Sequence, residues 1–190
     1  NHDKIPSYIN VTHSIFSTGS LILSATEFNK IFPIGNSRIR FAYLVPELQK
    51  VTGSIIIPAI GKVFFDHLLD GKQNLSLDTH HQKLLEKLQL STAYFTMAGA
   101  LSQNNIRVLF GPIPPGTLPR EHPSEATIKN TTEKYSSYAK NHLLQASKLM
   151  LSNPGHFPVY KNSPLYNQHL REKPFENLDS GIFIFGHPSN

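Results

Sequence analysis

The stretch SIIIPAIGKVFFDHLL, Ser54–Leu69, is the most apolar part of the chain, and Pro58 and Gly61 interrupt it. A proline inside a helix removes a backbone donor and clashes with the preceding turn, at a cost of about 3 kcal/mol. The interruption therefore predicts a boundary between two helices. We expect Pro58 to end the first helix and to stand in the first turn of the next, while Gly61 lets the chain turn tightly.

Helical periodicity on both sides of this boundary predicts the core that it closes. The upstream helix has Pro46 in its first turn, and its apolar stripe consists of Leu44, Leu48, Val51 and Ile55. The downstream helix ends at Gly71, and its apolar side consists of Val63, Phe64, His67 and Leu68. We expect one core across the corner, formed by Ile55, Ile56, Phe64 and Leu68. We expect Pro46, Pro58 and Gly61 to be the residues that shape this structural corner.

Capping residues mark the remaining helices. Ser24 begins a short helix with Glu27 at the spacing of a capping box, and Phe32-Pro33 stops it. Helices are also predicted from Asp78 or Thr79 to about Leu101, from Ser124 to about Leu151, and over SPLYNQHLREK with Ser163 as cap and Pro164 first. The buried stripes of the two long ones are Leu84, Leu88, Phe95 and Ala98, and then Tyr135, Tyr138, Ala139, Ala146, Leu149 and Met150.

The predicted fold is therefore mainly α, with about five helices in a small bundle around the Pro/Gly corner. Residues 1–23 read as an extended N-terminal arm, residues 24–173 as a helical domain, and residues 174–190 as a C-terminal arm with a strand. One long proline-rich loop, residues 103–123, interrupts the domain after or around a strand at Ile106–Phe110. Short β strands are thus expected only in the arms and beside this loop.

The C-terminal GIFIFG would form a strand that is apolar on both faces, because alternate side chains point in opposite directions. Such a strand at a terminus needs a cover, which another chain can provide. The interface candidates are apolar residues of the arms and the loop: Ile15, Phe16, Ile113, Pro114, Pro115, Leu118, Ile182, Phe183, Ile184 and Phe185.

Composition limits the classes of function. The chain has 190 residues, enough for one core, and the absence of cysteine excludes disulfides, thiolate metal sites and a cysteine nucleophile. The net charge of +5 permits contact with nucleic acid, but the basic residues are scattered. No uninterrupted apolar segment approaches the ~20 residues that span a bilayer, so no membrane contact is expected.

No motif indicates catalysis. His80 and His81 follow Asp78, but neighbours on a helix point about 100° apart and cannot chelate one ion as an i, i+4 pair does. We expect Asp78 and Thr79 to cap the helix and the two histidines to form its solvated first turn. His67 and His142 are expected to be core histidines. Nucleophile elbows, phosphate loops and HExxH are absent, so the sequence predicts no enzyme, no cofactor and no metal site.

The spacing of Pro46, Pro58 and Gly61 within IIPAIGKVFFDHLL resembles an uncharacterised family of small helical proteins from Bacteroidetes prophages. In that family a proline-started helix ends in an IIPLLG type of corner, followed by a KELYEELL type of helix. EFNKIFPIG looks like the family's opening helix and turn, and FPVYKNSPLY like the segment between its last two helices. The resemblance covers about Ser24 to Lys173, while Val51 and Thr52 replace the family's acidic and small residues.

That family is similar in helix order to the head-to-tail connector proteins of long-tailed phages, also called head completion or adaptor proteins. Those assemble as rings, commonly dodecameric, beneath the portal, and extend loops and termini to their neighbours. The resemblance implies a structural virion subunit in the neck, assembled in the host bacterial cytoplasm. Its implied partners are other copies of the chain, the portal protein and neck or tail proteins, with passing contact to DNA.

Three alternatives stay open. The chain could be another neck or tail completion protein. It could be a monomeric binding module, such as an adaptor or effector, whose terminal strands fold back on its own helices. It could also be an enzyme with a non-local site, such as a metal-dependent hydrolase that uses His80 or His67.

Overall fold

A computed structural model of the chain describes residues 19–102 and 124–172. Within these two ranges the protein is mainly α-helical and contains no strand, which confirms the predicted mainly α fold. The strands predicted at Ile106–Phe110 and in residues 174–190 lie outside the described residues. The elements are α1 Ala25–Ile31, α2 Arg38–Val51, a π-helical segment Thr52–Ile56, α3 Ile57–Ile60, α4 Lys62–Gln73, α5 Thr79–Ser102, α6 Glu125–Ser152, a 3-10 turn Pro154–His156, α7 Pro158–Lys161 and α8 Pro164–Glu172.

The long helices α5 and α6 form the most extensive helix–helix contact, and α2 packs against α5. Two clusters of buried apolar side chains result. The first joins the corner to α5, α6 and α7, and includes Ile56, Ile60, Phe64, Leu68, Leu84, Leu88, Leu143 and Tyr160. The second joins α1 and α2 to α5, and includes Phe28, Phe41, Leu44, Leu48 and Met97. The predicted meeting of Ile56, Phe64 and Leu68 is confirmed, with Ile55 partly buried against them.

Side-chain caps begin the helices where the sequence predicts them. Ser24 Oγ accepts from the backbone N–H of Glu27, and Ser124 Oγ accepts from that of Thr127. The reciprocal hydrogen bond of the capping box differs from the usual pattern by one residue. Glu27 Oε2 accepts from the backbone N–H of Leu23, at 2.8 Å, and not from that of Ser24. These helix starts are therefore readable from local sequence alone.

A partly buried ion pair holds the residues before α1 against the core. Lys72 Nζ donates to Glu27 Oε2 and to the carbonyl of Leu21, both at 2.6 Å. Gln89 Nε2 donates to the same carbonyl at 2.8 Å. Leu21 and Ile22 are buried, so the core begins before α1.

Pro46 does not lie in the first turn of its helix, and that prediction is wrong. The helix begins at Arg38, eight residues before Pro46, because Ser37 Oγ accepts from the N–H of Arg40 and caps it. Pro46 is exposed in the helix interior, where the Ala42 carbonyl loses its usual backbone donor. Water can reach this exposed face, which makes an interior proline tolerable.

Pro58 marks a change of helix type but does not turn the chain. The hydrogen-bond pattern widens to π over Thr52–Ile56, where the N–H of Ile57 donates to the carbonyl of Thr52. Helical backbone then continues through Pro58 to Ile60, so the prediction that Pro58 ends the long helix is wrong. Its predicted place in the first turn of the following helix is confirmed, since Pro58 is the second residue of α3. A π turn supplies the extra backbone room that a following proline ring needs.

Gly61 is where the direction changes. Its φ of +85° and ψ of 139° lie where side chains other than glycine are strained, and the helices on its two sides are bent by 110°. The predicted tight turn at Gly61 is therefore confirmed.

The face and end of α4 differ from the prediction. Val63 is 72% exposed and His67 is also exposed, while Phe65 is buried. The helix continues to Gln73 instead of ending at Gly71, and a Cβ at Gly71 would collide with the Leu77 side chain. The close packing against Leu77 explains why residue 71 is a glycine, whereas helix termination does not.

Burial along the long helices follows the predicted stripes only in part. Phe95, Tyr135 and Leu149 are partly buried, and two further differences concern α6. Tyr138 of α6 is 42% exposed, although the sequence predicts it in the buried stripe. Leu143 and Ser147 are buried there, and the predicted stripe does not contain them. Ala139 and Ala146, which the predicted stripe contains, are fully buried.

Candidate functional site

The predicted interface candidates cannot be placed, because all of them lie outside the described residues: Ile15, Phe16, Ile113, Pro114, Pro115, Leu118, Ile182, Phe183, Ile184 and Phe185. The predicted corner residues are described, and only Gly61 turns the chain. The described residues present two further arrangements of functional interest. One is a crevice beside the ends of α5 and α6, and the other is a group of histidines at the opposite end of α5.

The crevice, named here the tip crevice, lies between the upstream helix of the corner and the α5–α6 pair. It is open to solvent and has a volume of about 240 Å³. Its apolar lining includes Val51, Ile55, Phe95 and Ala98, and Ser102 and Ser136 belong to its polar lining. A second open cavity of about 390 Å³ shares Ser102 and Thr132 with it and extends to Glu125 and Ile128.

Two features of the tip crevice stand out. Helices approach closely at its floor, since a Cβ on Gly99 would collide with the Glu47 side chain. Thr132 Oγ1 is buried, and no hydrogen-bond partner for it is found among the described residues. A threonine inside a helix usually bonds to the carbonyl four residues before it, as Thr131 does with Thr127. Thr132 therefore keeps an unused polar atom at the crevice.

Sequence reasoning missed this crevice. Its lining comes from three helices that are distant in sequence, and the predictions include only Phe95, Ala98, Val51 and Ile55 of it, as core residues. The one available signal is the set of small side chains at Gly99, Thr132 and Ser136, which permits a gap where larger residues would fill it.

Histidines gather where α4 and α5 meet the turn after α6. His80 and His156 stack with ring centroids 3.6 Å apart. His81 is only 7% exposed, with its ring packed between those of Phe64 and Phe157. The expectation of a solvated first turn is therefore wrong for His81. Tertiary packing draws this ring into the core, which the local sequence does not reveal.

Asp78 caps α5 as predicted. Its Oδ1 accepts from the backbone N–H of His81 at 2.8 Å and lies 2.9 Å from Nδ1 of the same residue. The backbone hydrogen bond from His81 is the largest cause that lowers the pKa of Asp78 below its ordinary value. His81 Nε2 is buried, and the described residues give it no hydrogen-bond partner. The pair orients the histidine ring and stabilises the helix start.

Another part of α5 carries a cluster of aromatic rings around Tyr94. Tyr94 contacts Phe32, Tyr135 and Tyr138, and the His142 ring stacks on it at 5.9 Å between centroids. Burial raises the pKa of Tyr135, with Tyr94 contributing. Burial also raises the pKa of Tyr160 in the first apolar cluster, where its hydroxyl lies 2.7 Å from His169 Nδ1. These tyrosines stay neutral and act as packing and hydrogen-bonding groups.

His142 should make stability depend on pH. Burial, followed by repulsion from Lys87, lowers the pKa of His142 below 6.5, and its Nδ1 is buried without a hydrogen-bond partner in the described structure. The unfolded chain therefore takes up this proton first as the pH falls. The contribution of the neutral ring is fully present above about pH 6.5 and is lost as the pH falls through the lower, folded-state pKa.

The variant His142→Phe tests this, because phenylalanine keeps the stack on Tyr94 and does not titrate. We expect the loss in urea midpoint between pH 7.5 and pH 5.5 to be smaller in the variant than in the unmodified chain. His67→Phe, at an exposed histidine, serves as the control. An unchanged pH dependence in His142→Phe would show that the lowered pKa has no part in stability.

A metal centre and a membrane span each need a particular grouping of residues. In residues 19–102 and 124–172, no group of three or more His, Cys, Asp or Glu side chains is placed to hold a metal ion. No single helix in those ranges is long and apolar enough to cross a membrane. Only the bent pair Arg38–Ile60 and Lys62–Gln73 meets that length and composition together.

The resemblance to the prophage family depends on the corner and on the segments around it, which the structure places as follows. EFNKIFPIG lies in α1 and the residues after it, and FPVYKNSPLY contributes α7 and the start of α8. Comparison of the chain with protein-family models, with curated proteins and with solved structures finds no match.

Proposed function

We propose that the chain is a structural subunit of a tailed-phage virion, of the head-to-tail connector type, which forms a homo-oligomeric ring between portal and tail. The observation that supports this best is the corner at Gly61, where two helices bent by 110° close one apolar core. This is the position at which the resemblance expects a corner. Portal, neck and tail proteins are the proposed partners, and the virion neck is the proposed location.

Three apolar side chains are strongly exposed on the described surface. Leu75 is 93% exposed, Val63 72% and Ile39 63%. Leu75 also has a φ of +55°, a backbone conformation that costs a residue with a side chain about 1 kcal/mol or more. Single exposed apolar groups are common on soluble proteins, and they do not distinguish a ring subunit from a monomer.

Measurement of mass in solution tests the ring. Native mass spectrometry and light scattering of the full chain, over a range of concentrations and with the portal protein of the proposed virion, should show a discrete oligomer above the 21.3 kDa monomer. A chain that stays monomeric both alone and with that portal protein would favour the binding module instead. Portal, capsid and tail genes beside this gene would support the virion assignment independently.

The C-terminal arm is proposed to contribute to the subunit contact. We expect Phe183→Asp with Phe185→Asp to leave the helical circular dichroism unchanged and to weaken assembly at least tenfold. His187→Asp with Ser189→Asp introduces the same two carboxylates just beyond GIFIFG and serves as the control. Normal assembly of the first variant, or loss of its helical signal, would contradict the proposed placement.

A further inference from the structure

The tip crevice contains a carboxylate that lies mostly out of water. Glu47 belongs to the lining, and only 11% of its side chain is exposed. The carboxyl group lies over Gly99, another lining residue, so closely that a Cβ at Gly99 would collide with Glu47 Oε1. A carboxylate that has lost much of its hydration is stabilised by hydrogen-bond donors and by positive charge. The crevice therefore favours a cation.

A lysine at the edge of the crevice holds this carboxylate only loosely. Lys50 Nζ lies 3.3 Å from Glu47 Oε1, whereas a strong charge-assisted hydrogen bond is about 2.7–2.9 Å long. The Lys50 side chain is 64% exposed and flexible, and water and salt screen an ion pair with so exposed a partner. Lys50 thus shows that an ammonium group fits against Glu47, and a second ammonium group can take its place.

Two hydroxyl groups of the lining present acceptors as well. Ser54 Oγ donates its proton to the carbonyl of Lys50 at 2.7 Å, and Ser102 Oγ donates to that of Gly99 at 2.8 Å. Both serines are exposed, so the lone pairs of their oxygens are open to a ligand. Together with the Glu47 carboxylate, they favour a ligand that donates hydrogen bonds and carries positive charge.

The rest of the lining is largely apolar, and the crevice is small. Phe95 and Ile55 are half-buried in the lining, and Val51 and Ala98 extend its apolar surface. The volume of about 240 Å³ is below that of pockets for drug-sized ligands, which is about 300–1,000 Å³. The lining thus suits a short hydrocarbon chain or a single aromatic ring attached to an ammonium group.

We propose that the tip crevice binds a small organic amine, whose ammonium group replaces that of Lys50 on the Glu47 carboxylate while its apolar part packs against Phe95. This inference does not rest on the ring or on the virion assignment. It gives the chain a binding site for a ligand of low molecular mass, which the proposed structural role does not require.

Isothermal titration calorimetry of the full chain with phenethylamine tests the proposal. Phenylethanol and phenylpropionate keep the phenyl group, and they replace the ammonium group by a neutral hydroxyl and by a carboxylate. We expect phenethylamine to bind about tenfold more tightly than either, because only its ammonium group pairs with Glu47. In an NMR titration with phenethylamine, the backbone amide signals of Ser54, Gly99 and Ser102 should shift, while those of α7 stay unchanged.

Two substitutions in the lining should act in opposite directions. Glu47→Gln keeps the shape of the side chain and removes its charge, so phenethylamine should bind about tenfold more weakly. Lys50→Met removes the competing ammonium group and frees the carboxylate, so the binding should become about threefold tighter. Glu86→Gln, at an exposed glutamate of α5 outside the lining, is the control for loss of charge and should leave the binding unchanged.

Three results would overturn the proposal. One is binding of phenethylamine that is no tighter than that of phenylethanol, which would leave an apolar contact without recognition of the amine. Another is a set of amide shifts that omits Ser54, Gly99 and Ser102. The third is weaker binding in Lys50→Met, which contradicts competition for the carboxylate. Circular dichroism checks that each variant is folded, and if Glu47→Gln is not, the three ligands and Lys50→Met decide.

Discussion

Replacement of Phe64 by alanine should lower the free energy of unfolding by about 3–5 kcal/mol, the range for deleting a buried aromatic ring. Phe64 is 1% exposed, and its ring centroid lies 5.8 Å from that of Tyr160 and 6.0 Å from that of Phe157. It also lies 6.1 Å from His81. One side chain thus joins α4 to α5 and to α7, and its removal leaves a cavity that three elements share.

This loss is a large part of the total free energy of unfolding of a domain, which is typically about 5–15 kcal/mol. A cavity at Phe64 also removes one wall from the ring of His81, whose other aromatic neighbours include Phe157. Because the structure around a new cavity relaxes only in part, the cavity adds to the cost of the lost burial. We therefore expect the upper part of the stated range.

Val63→Ala is the matched control, since it shortens the preceding residue of the same helix. Val63 is 72% exposed, so its change should stay within about 0.5 kcal/mol. Urea unfolding followed by circular dichroism measures both variants. Equal losses for Phe64→Ala and Val63→Ala would mean that the observed face of α4 is wrong and that the face predicted from sequence, with Val63 inside, is right.

The face of α4 shows why periodicity alone is insufficient. Val63 and Phe65 are both apolar and flank Phe64, so the sequence allows the apolar stripe to lean to either side. The structure buries Phe65. Near the end of the same helix, Gly71 packs against the side chain of Leu77 and favours the observed orientation of the helix. Leu77 lies beyond the end of α4, so the periodicity of the helix does not reveal this contact.

Three helix starts are predicted correctly because a cap is a contact within three residues, as at Ser24, Asp78 and Ser124. The cap of α2 at Ser37 is equally local, and the prediction missed it. The burial of His81 is not predictable, since the rings that enclose it come from α4 and from the segment after α6. The tip crevice is unpredictable for the same reason. Its lining is assembled from three helices, and a gap is defined by side chains that are too small to fill it.

The corner has one feature that local sequence predicts and one that it does not. Proline and glycine are local signals, and they predict that the helix is interrupted between Pro58 and Gly61. They do not show which residue turns the chain, because a π segment before Pro58 absorbs the proline ring without a bend. Gly61 alone has a backbone conformation that requires glycine at this corner.

Gly61→Ala should therefore lower the free energy of unfolding by about 1–3 kcal/mol, through strain in the backbone. The φ of +85° is unfavourable for any residue with a Cβ. Space is not the limit, since an added Cβ would lie 3.5 Å from Leu165 Cδ2, an ordinary van der Waals contact. The expected loss is thus a property of the turn itself and separates the backbone requirement from side-chain packing.

Gly53→Ala, eight residues earlier on the same helix, is the control for this change. Gly53 has helical backbone, and nothing lies within 4 Å of an added Cβ. Alanine should therefore leave stability unchanged or raise it by up to about 1 kcal/mol, because glycine is the poorer helix former. Opposite signs for the two substitutions, measured by urea unfolding, would locate the turn at Gly61. If Gly61→Ala were as harmless as Gly53→Ala, the chain would have to turn elsewhere, and Pro58 would again be the candidate for the end of the helix.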